Sequence, residues 1–313
     1  MLDERKRCLV IGGRGFIGSY LVEALLAAGH NVRSFDRAGS QPQKAELEAD
    51  ERQFEFVAGD FCNPEDIARA VQGCDICFHL VCTTLPKSSN ADPVFDVASN
   101  VQGSLRLLQY SVDAGLTKVV FVSSGGTVYG TPKYSPLDES HPTDPICSYG
   151  VTKLPIEKYC EVFRQLYGLE YSVLRLSNPY GERQRTDAGQ GAAAVFSSKA
   201  IKGEPVEVWG DGEVIRDYIY VGDAAAALVA AAEYRGEHRV FNVGSGQGVS
   251  TNMLLKTIER CLDRKIERMD LPGRAFDVRE NVLDISLAKS ELLWRPAVDL
   301  ETGLARLIAW LRG

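Results

Sequence analysis

The stretch Cys8-Leu-Val-Ile-Gly-Gly-Arg-Gly-Phe-Ile-Gly18 decides the fold. Four apolar residues in a row suit a short buried strand, and Gly12 ends it at once. Gly12, Gly15 and Gly18 follow G-x-x-G-x-x-G spacing, and a helical pattern opens at Phe16 and Ile17. Glycines there let the backbone turn tightly and approach a pyrophosphate, which then sits on the helix's free N–H groups. A glycine cluster alone also suits a plain strand-to-helix turn, so its surroundings matter. Asp36 ends the second apolar run, where a carboxylate can hold both ribose hydroxyls. It repels a 2′-phosphate, which favours NAD over NADP. Arg37 next to it tempers that preference, since a guanidinium can stack on adenine or tolerate a phosphate. Gly59-Asp60-Phe61, after the third run, is placed to bind the adenine, although Asp60 equally suits a helix or turn cap.

Outward from this loop, short apolar runs at 8–11, 31–35, 54–57, 76–80, 118–122 and 171–176 alternate with helical patterns at 17–28, 64–71 and 100–114. That alternation predicts a parallel sheet covered on both faces, a doubly wound α/β Rossmann fold. Ligands then belong at the carboxyl ends of the strands. Beyond residue 176 the pattern loosens: a polar loop at 178–191, a helix at 192–202, a strand at 205–209, and a helix to 232 that Asp223 is placed to cap. Residues 1–176 are expected to form the NAD-binding domain and 177–313 mainly a smaller C-terminal substrate-binding lobe, with segments near 214–246 packing back on the first.

Composition narrows the class. Of 313 residues 45% are apolar and 25% charged, too hydrophobic for disorder. A formal charge of -7 argues against nucleic acid as a partner, because polyanions want a basic face. The longest small-apolar run, 224–232, is about half a membrane span. The run at 8–11 is too short for a signal-peptide core. A cytoplasmic protein is therefore expected, and its eight scattered cysteines then read as free thiols. Cys74-Asp-Ile-Cys77 has C-x-x-C spacing but no second pair, and it reads as a strand. Its four histidines are not spaced as a metal site, so no metal is expected.

Tyr149-Gly-Val-Thr-Lys153 carries the chemistry. Four residues apart at a helix start, the phenol and the ammonium lie on one face. Using a phenol as a base near neutrality means lowering its pKa by about 3 units, or about 4 kcal/mol. A lysine and a positive nicotinamide can supply that.

These motifs together resemble an extended short-chain dehydrogenase/reductase, most closely a nucleotide-sugar epimerase of the UDP-glucose/UDP-galactose 4-epimerase type. The likeness runs nearly end to end: the glycine loop, Asp36, Asp60, His79-Leu80, Asn100, Ser123-Ser-Gly-Gly-Thr-Val-Tyr-Gly130, Tyr149 with Lys153, Leu174 to Gly181, Arg216-Asp-Tyr218, and Arg274 with Asp277. The resemblance implies tightly bound NAD held by Gly12 to Gly18, Asp36, Arg37, Asp60, Phe61, Leu80, Val81, Asn100, Tyr149 and Lys153. It implies a UDP-hexose gripped by Asn178, Arg216 and Arg274, and C4 epimerisation through a transient 4-keto sugar with Tyr149 as the base. It also implies a homodimer built from helices around 101–114 and 152–167.

Two departures bear on the site. Related epimerases carry a serine or threonine four residues before the tyrosine of the Tyr-Gly pair, and here that position is Gly125. Ser124, then Thr127, are the candidates to supply the hydroxyl; Ser123, by strand alternation, faces away from Ser124. Related dehydratases carry an Asp-Glu pair, and decarboxylases a glutamate, where this chain has Gly126 and Thr127. Eliminating water needs a second acid/base, whereas hydride out and back does not. Asn281 falls where the family limits N-acetyl sugars by bulk, which leaves N-acetylhexosamines open. Two rivals stand beside this reading: a net nucleotide-sugar or ketone reductase or dehydratase of the same fold, and a non-catalytic dinucleotide sensor.

Overall fold

Runs such as Lys118-Val-Val-Phe-Val-Ser-Ser124 lack the polar alternation of a half-exposed strand, so they must be buried on both faces. In the computed structural model, which describes residues 5–187, 191–273 and 278–313, they are. The first half runs β1 (Arg7–Ile11), α1 (Phe16–Ala27), β2 (Asn31–Asp36), α2 (Lys44–Glu48), β3 (Phe54–Ala58), α3 (Pro64–Val71) and β4 (Ile76–His79). It continues through α4 (Pro86–Ala91), α5 (Pro93–Asp96), a π-helical turn (Val97–Val101), α6 (Gln102–Asp113), β5 (Lys118–Ser124), α7 (Ser148–Tyr167) and β6 (Glu170–Leu176). The second half adds β7 (Asn178–Tyr180), α8 (Ala192–Lys202), β8 (Val206–Trp209), β9 (Ile215–Tyr220), α9 (Val221–Glu233) and β10 (Val240–Val243). Last come β11 (Gly248–Ser250), α10 (Thr251–Leu262), β12 (Arg268–Leu271), β13 (Glu280–Asn281), α11 (Ser286–Glu291) and α12 (Leu300–Arg312).

Seven parallel strands form the main sheet in the order β10-β6-β5-β4-β1-β2-β3. The order reverses at β1, so the crevice beyond β1 and β4 is the expected ligand site. Successive β1 residues serve opposite layers. Cys8 and Val10 pack with Leu21, Val22 and Leu25 of α1 and with the alanines of α9. Leu9 and Ile11 pack with Ile67 and Val71 of α3 and Leu107 of α6. Each fully buried aliphatic side chain contributes roughly 1.5–3 kcal/mol. A third cluster, around Tyr180, Ala194, Leu254, Ile258, Leu304 and Leu307, packs β7, α8, α10 and α12 together.

Two local readings are corrected. Residues 178–180, expected in a loop, pair with β9 as a short strand. Asp223 does not cap α9, because β9 runs directly into the helix and Tyr220 takes the cap position without a side-chain bond. The Asp223 carboxylate instead accepts from the Val298 N–H at 2.9 Å, and its carbonyl accepts from the Trp294 indole at 3.0 Å, tying the C-terminal segment to α9. All eight cysteines are free thiols. No helix among the described residues is long and apolar enough to cross a membrane.

Candidate active site

The glycine loop closes on itself. The Gly12 N–H donates to Phe35 O at 2.8 Å, and the Gly15 N–H donates to Gly12 O at 3.1 Å. A Cβ at Gly18 would lie 2.0 Å from the Gly12 carbonyl oxygen, so only glycine lets α1 sit this close to the loop. Gly15 precedes α1 with no side-chain cap, which leaves the first-turn N–H groups directed at the crevice. Asp36 accepts from the backbone N–H groups of Arg14 at 3.0 Å and Arg37 at 2.8 Å, which fixes its carboxylate at the end of β2. Arg37 is exposed. Leu80 and Val81 close the other wall, with Val81 Cγ2 3.0 Å from the Cβ position of Gly12. An uncapped helix start, a glycine cradle and an acidic strand end fit a dinucleotide.

Other expected cofactor residues have their side chains engaged within the protein. Asp60 accepts from the Cys62 N–H at 2.9 Å, the turn-forming role, while remaining exposed. The Phe61 ring is 5% exposed and packs 5.0 Å from His79 in the core. Asn100 accepts from the Thr83 N–H at 2.9 Å and donates to Thr84 Oγ1 at 3.1 Å and Asp96 Oδ1 at 2.8 Å. It shapes the loop after β4. Buried His79 has its pKa pushed down by desolvation and by Lys153, to about 3.

At the end of β5 the chain turns sharply, with Ser124 O accepting from the Thr127 and Val128 N–H groups at 3.2 and 3.0 Å. Ser123 faces away from this turn and donates to Glu157 at 2.5 Å; Glu157 in turn pairs with buried Arg175 at 2.7 Å. Arg175 donates to the Tyr129 hydroxyl at 3.1 Å, which donates to Asn242 at 2.6 Å. This network supports the turn from behind. Ser124 is half-buried. Thr127 Oγ1 is buried and has no hydrogen-bond partner among the described residues. Its backbone carbonyl packs against Gly150, next to Tyr149.

At Gly125, where the family resemblance calls for a hydroxyl, there is no room for a side chain. A Cβ there would meet Leu283 Cδ1 at 2.7 Å and the Arg175 carbonyl at 3.1 Å. Position 125 therefore faces packed protein.

Tyr149 and Lys153 stand one turn apart on α7, with the ammonium 5.4 Å from the phenol ring. Lys153 donates to Val122 O at 3.0 Å, which holds it against β5. Burial pushes the phenol's pKa above its ordinary value, helped by the Cys82 and Cys147 thiols and the Asp96 carboxylate. Burial pulls the Lys153 ammonium down. The chain's own groups thus favour a neutral phenol.

Beyond β6, Asn178 donates to Asp217 O at 2.9 Å and Arg216 donates to Val278 O at 2.8 Å. Asn281 is 2% exposed and donates to Gly125 O at 3.1 Å, while its Oδ1 has no partner among the described residues. It clasps the turn that carries Thr127. Arg274 and Asp277 lie outside the described residues. Sequence reasoning missed Asp217, a fully buried carboxylate that accepts from Ser245 N, Ser245 Oγ and Gly246 N and locks the loop after β10 onto β9. Its only sequence signal was its place inside Arg216-Asp-Tyr218.

A doubly wound sheet that brings a glycine cradle, an acidic strand end and a Tyr–Lys helix to one crevice defines an extended short-chain dehydrogenase/reductase. The model of the NAD dependent epimerase/dehydratase family matches residues 8–244, and the chain belongs to that family. It is 36% identical to the UDP-glucose 4-epimerase of Mycolicibacterium smegmatis over 98% of both chains. The solved UDP-glucose 4-epimerase of Thermotoga maritima, with UDP-glucose, superposes with a TM-score of 0.91 at 36% identity, covering 98% of each chain. The Thermus thermophilus enzyme, solved with NAD, gives 0.88 at 32% identity over 98% of this chain and 99% of that one.

Proposed function

We propose that this chain is an NAD-dependent epimerase that inverts C4 of a UDP-hexose. The observation that carries the reading is the Tyr149–Lys153 pair against a β5 turn whose two central positions are glycine, with no carboxylate at Gly126 or Thr127 to drive elimination. Gly12, Gly15, Phe16, Ile17, Gly18, Asp36 and Val81 would hold NAD, which supplies the hydride acceptor and donor at C4. Tyr149 takes the C4 hydroxyl proton and later returns it. A phenol whose surroundings favour the neutral form is suited to that return. Lys153, fixed by Val122 O, places a cation beside the ring. Thr127, with its unpartnered buried hydroxyl, is the better candidate than Ser124 to hydrogen-bond the reacting hydroxyl. Arg216 and Arg274 are assigned to the diphosphate, with Asn178 and Asn281 shaping the lobe of residues 177–313.

The reading includes a cytoplasmic homodimer. Val151, Tyr159, Val162, Leu166 and Tyr167 of α7 are exposed at helical spacing, and Val94, Phe95 and Val97 extend the same apolar character onto α5 and the turn after it. Exposed apolar area of this kind marks an interface.

Proton NMR of the protein with UDP-galactose and no added coenzyme tests the activity. Conversion to UDP-glucose supports retained NAD and C4 inversion together. Conversion only with stoichiometric NAD(P)H oxidation would favour a reductase instead.

A further inference from the structure

Asp96 is the last residue of α5, a four-residue helix. In the fold its carboxylate is 0% exposed. Thr84 Oγ1 and Asn100 Nδ2 (2.8 Å) donate to one oxygen, and Ser148 Oγ donates to the other at 2.7 Å. These partners come from the loop after β4, from the π-helical turn and from the first residue of α7. Burying a carboxylate costs several kcal/mol unless donors satisfy it, and neutral donors would serve a neutral side chain as well. A carboxylate kept at this buried position therefore calls for a reason. Two observations supply it. Ser148 is the residue before Tyr149, and the Tyr149 N–H itself donates to Ser89 Oγ at 3.0 Å, so the first turn of α7 is tied down at consecutive residues. Helical turns of the π type, such as the one carrying Asn100, recur at functional sites.

We propose that Asp96 is a positioning residue for proton transfer: its buried carboxylate pins the first turn of α7, and with it Tyr149, to the loop after β4, and its charge acts on the Tyr149–Lys153 pair. The other titratable groups around the phenol are Cys82 from that loop, Cys147 at the helix start and Lys153 on α7 itself. Among them Asp96 is the carboxylate that acts on the phenol, favouring its protonated form; on the ammonium it acts alongside Glu157, and both favour the charged form. The proposal deepens the epimerase reading and rests on it only for its rate measurements.

The test uses NAD-bound enzyme with ring-13C tyrosine, Tyr149 being assigned by its loss in Tyr149→Phe. In Asp96→Asn the Tyr149 titration and the acid limb of kcat/KM should both move to lower pH, and kcat should fall about 100-fold as alignment loosens. Ser148→Ala keeps the charge but cuts the tie, so kcat should fall about 10-fold with the titration unmoved. A folded Asp96→Asn protein whose titration and pH profile coincide with the parent overturns the proposal. If that variant does not fold, an unchanged kcat in Ser148→Ala overturns it. Absence of turnover in the parent would count against the epimerase reading, and the titration arm would still decide the role of Asp96.

Discussion

Gly125→Ser places a hydroxyl at the position that related epimerases use, and its effect follows from what the new Cβ meets. Leu283 Cδ1 stands 2.7 Å away and Cδ2 3.0 Å, and Leu283 is fully buried. The Arg175 carbonyl, at 3.1 Å, belongs to the adjacent strand and cannot withdraw. Forcing atoms into a packed site of this kind costs about 1–3 kcal/mol. With an unfolding entropy of roughly 2.1 cal/mol/K per residue, that lowers Tm by about 2–5 °C in a chain of this length. Leu283→Ala opens the space at its own cost of about 2–5 kcal/mol, so the double variant should be less damaged than the sum, with a coupling of about 0.5–3 kcal/mol. The functional arm uses Thr127→Val, which removes the unpartnered hydroxyl and should lower kcat about tenfold, the worth of one hydrogen bond. Adding Gly125→Ser should not restore it, because that side chain is directed at Leu283. The assay is calorimetric Tm together with kcat on UDP-galactose. A Gly125→Ser protein with unchanged Tm that returns Thr127→Val to the parental rate would refute the steric argument.

Three further outcomes are expected. Tyr149→Phe should lower kcat by at least about 100-fold while the purified protein still releases NAD on denaturation; undiminished epimerisation would remove Tyr149 as the base. His79, held near pKa 3 against an ordinary 6.5, is neutral in the fold, so the unfolded chain protonates first. Its stabilisation is complete above about pH 6.5 and is lost as pH falls towards 3, at about 1.4 kcal/mol per unit. Urea unfolding between pH 7 and pH 5 should therefore show a shallower loss in His79→Asn, and equal slopes would count against a buried neutral imidazole. Val162→Glu with Leu166→Glu, on the exposed face of α7, should turn a dimer into a monomer in sedimentation velocity; a dimer that survives both charges lies elsewhere.

Local features were legible in the sequence. The glycine loop, Asp36 and the Tyr149–Lys153 spacing each depend on a few neighbouring residues, and the alternation of Ser123 and Ser124 follows from the pleat. What depended on distant partners was not. Phe61 and Asn100 sit where cofactor contacts were expected, yet their side chains are engaged by His79 and by Thr83, Thr84 and Asp96, which no spacing rule brings together. Asp223 has the composition of a cap and acts as a clasp, because Trp294 and Val298 return to it from the far end of the chain. The direction of a side chain at Gly125 required knowing where Leu283 packs. Three-residue β7 was too short to carry a pattern.

The place of β10 has a consequence for how the protein is made. It completes the sheet beside β6, although β7, α8, β8, β9 and α9 intervene in the chain. While the polypeptide emerges from the ribosome, Val173, Leu174 and Leu176 line an open sheet edge, a template for pairing with another chain. At synthesis rates of about 5–20 residues per second that edge stays bare for several seconds after β6 appears. Residues 1–176 by themselves lack the strand that covers this edge. Gene fragments cut after Leu176 should yield aggregate, and recombination between relatives should succeed only where both strands come from the same parent.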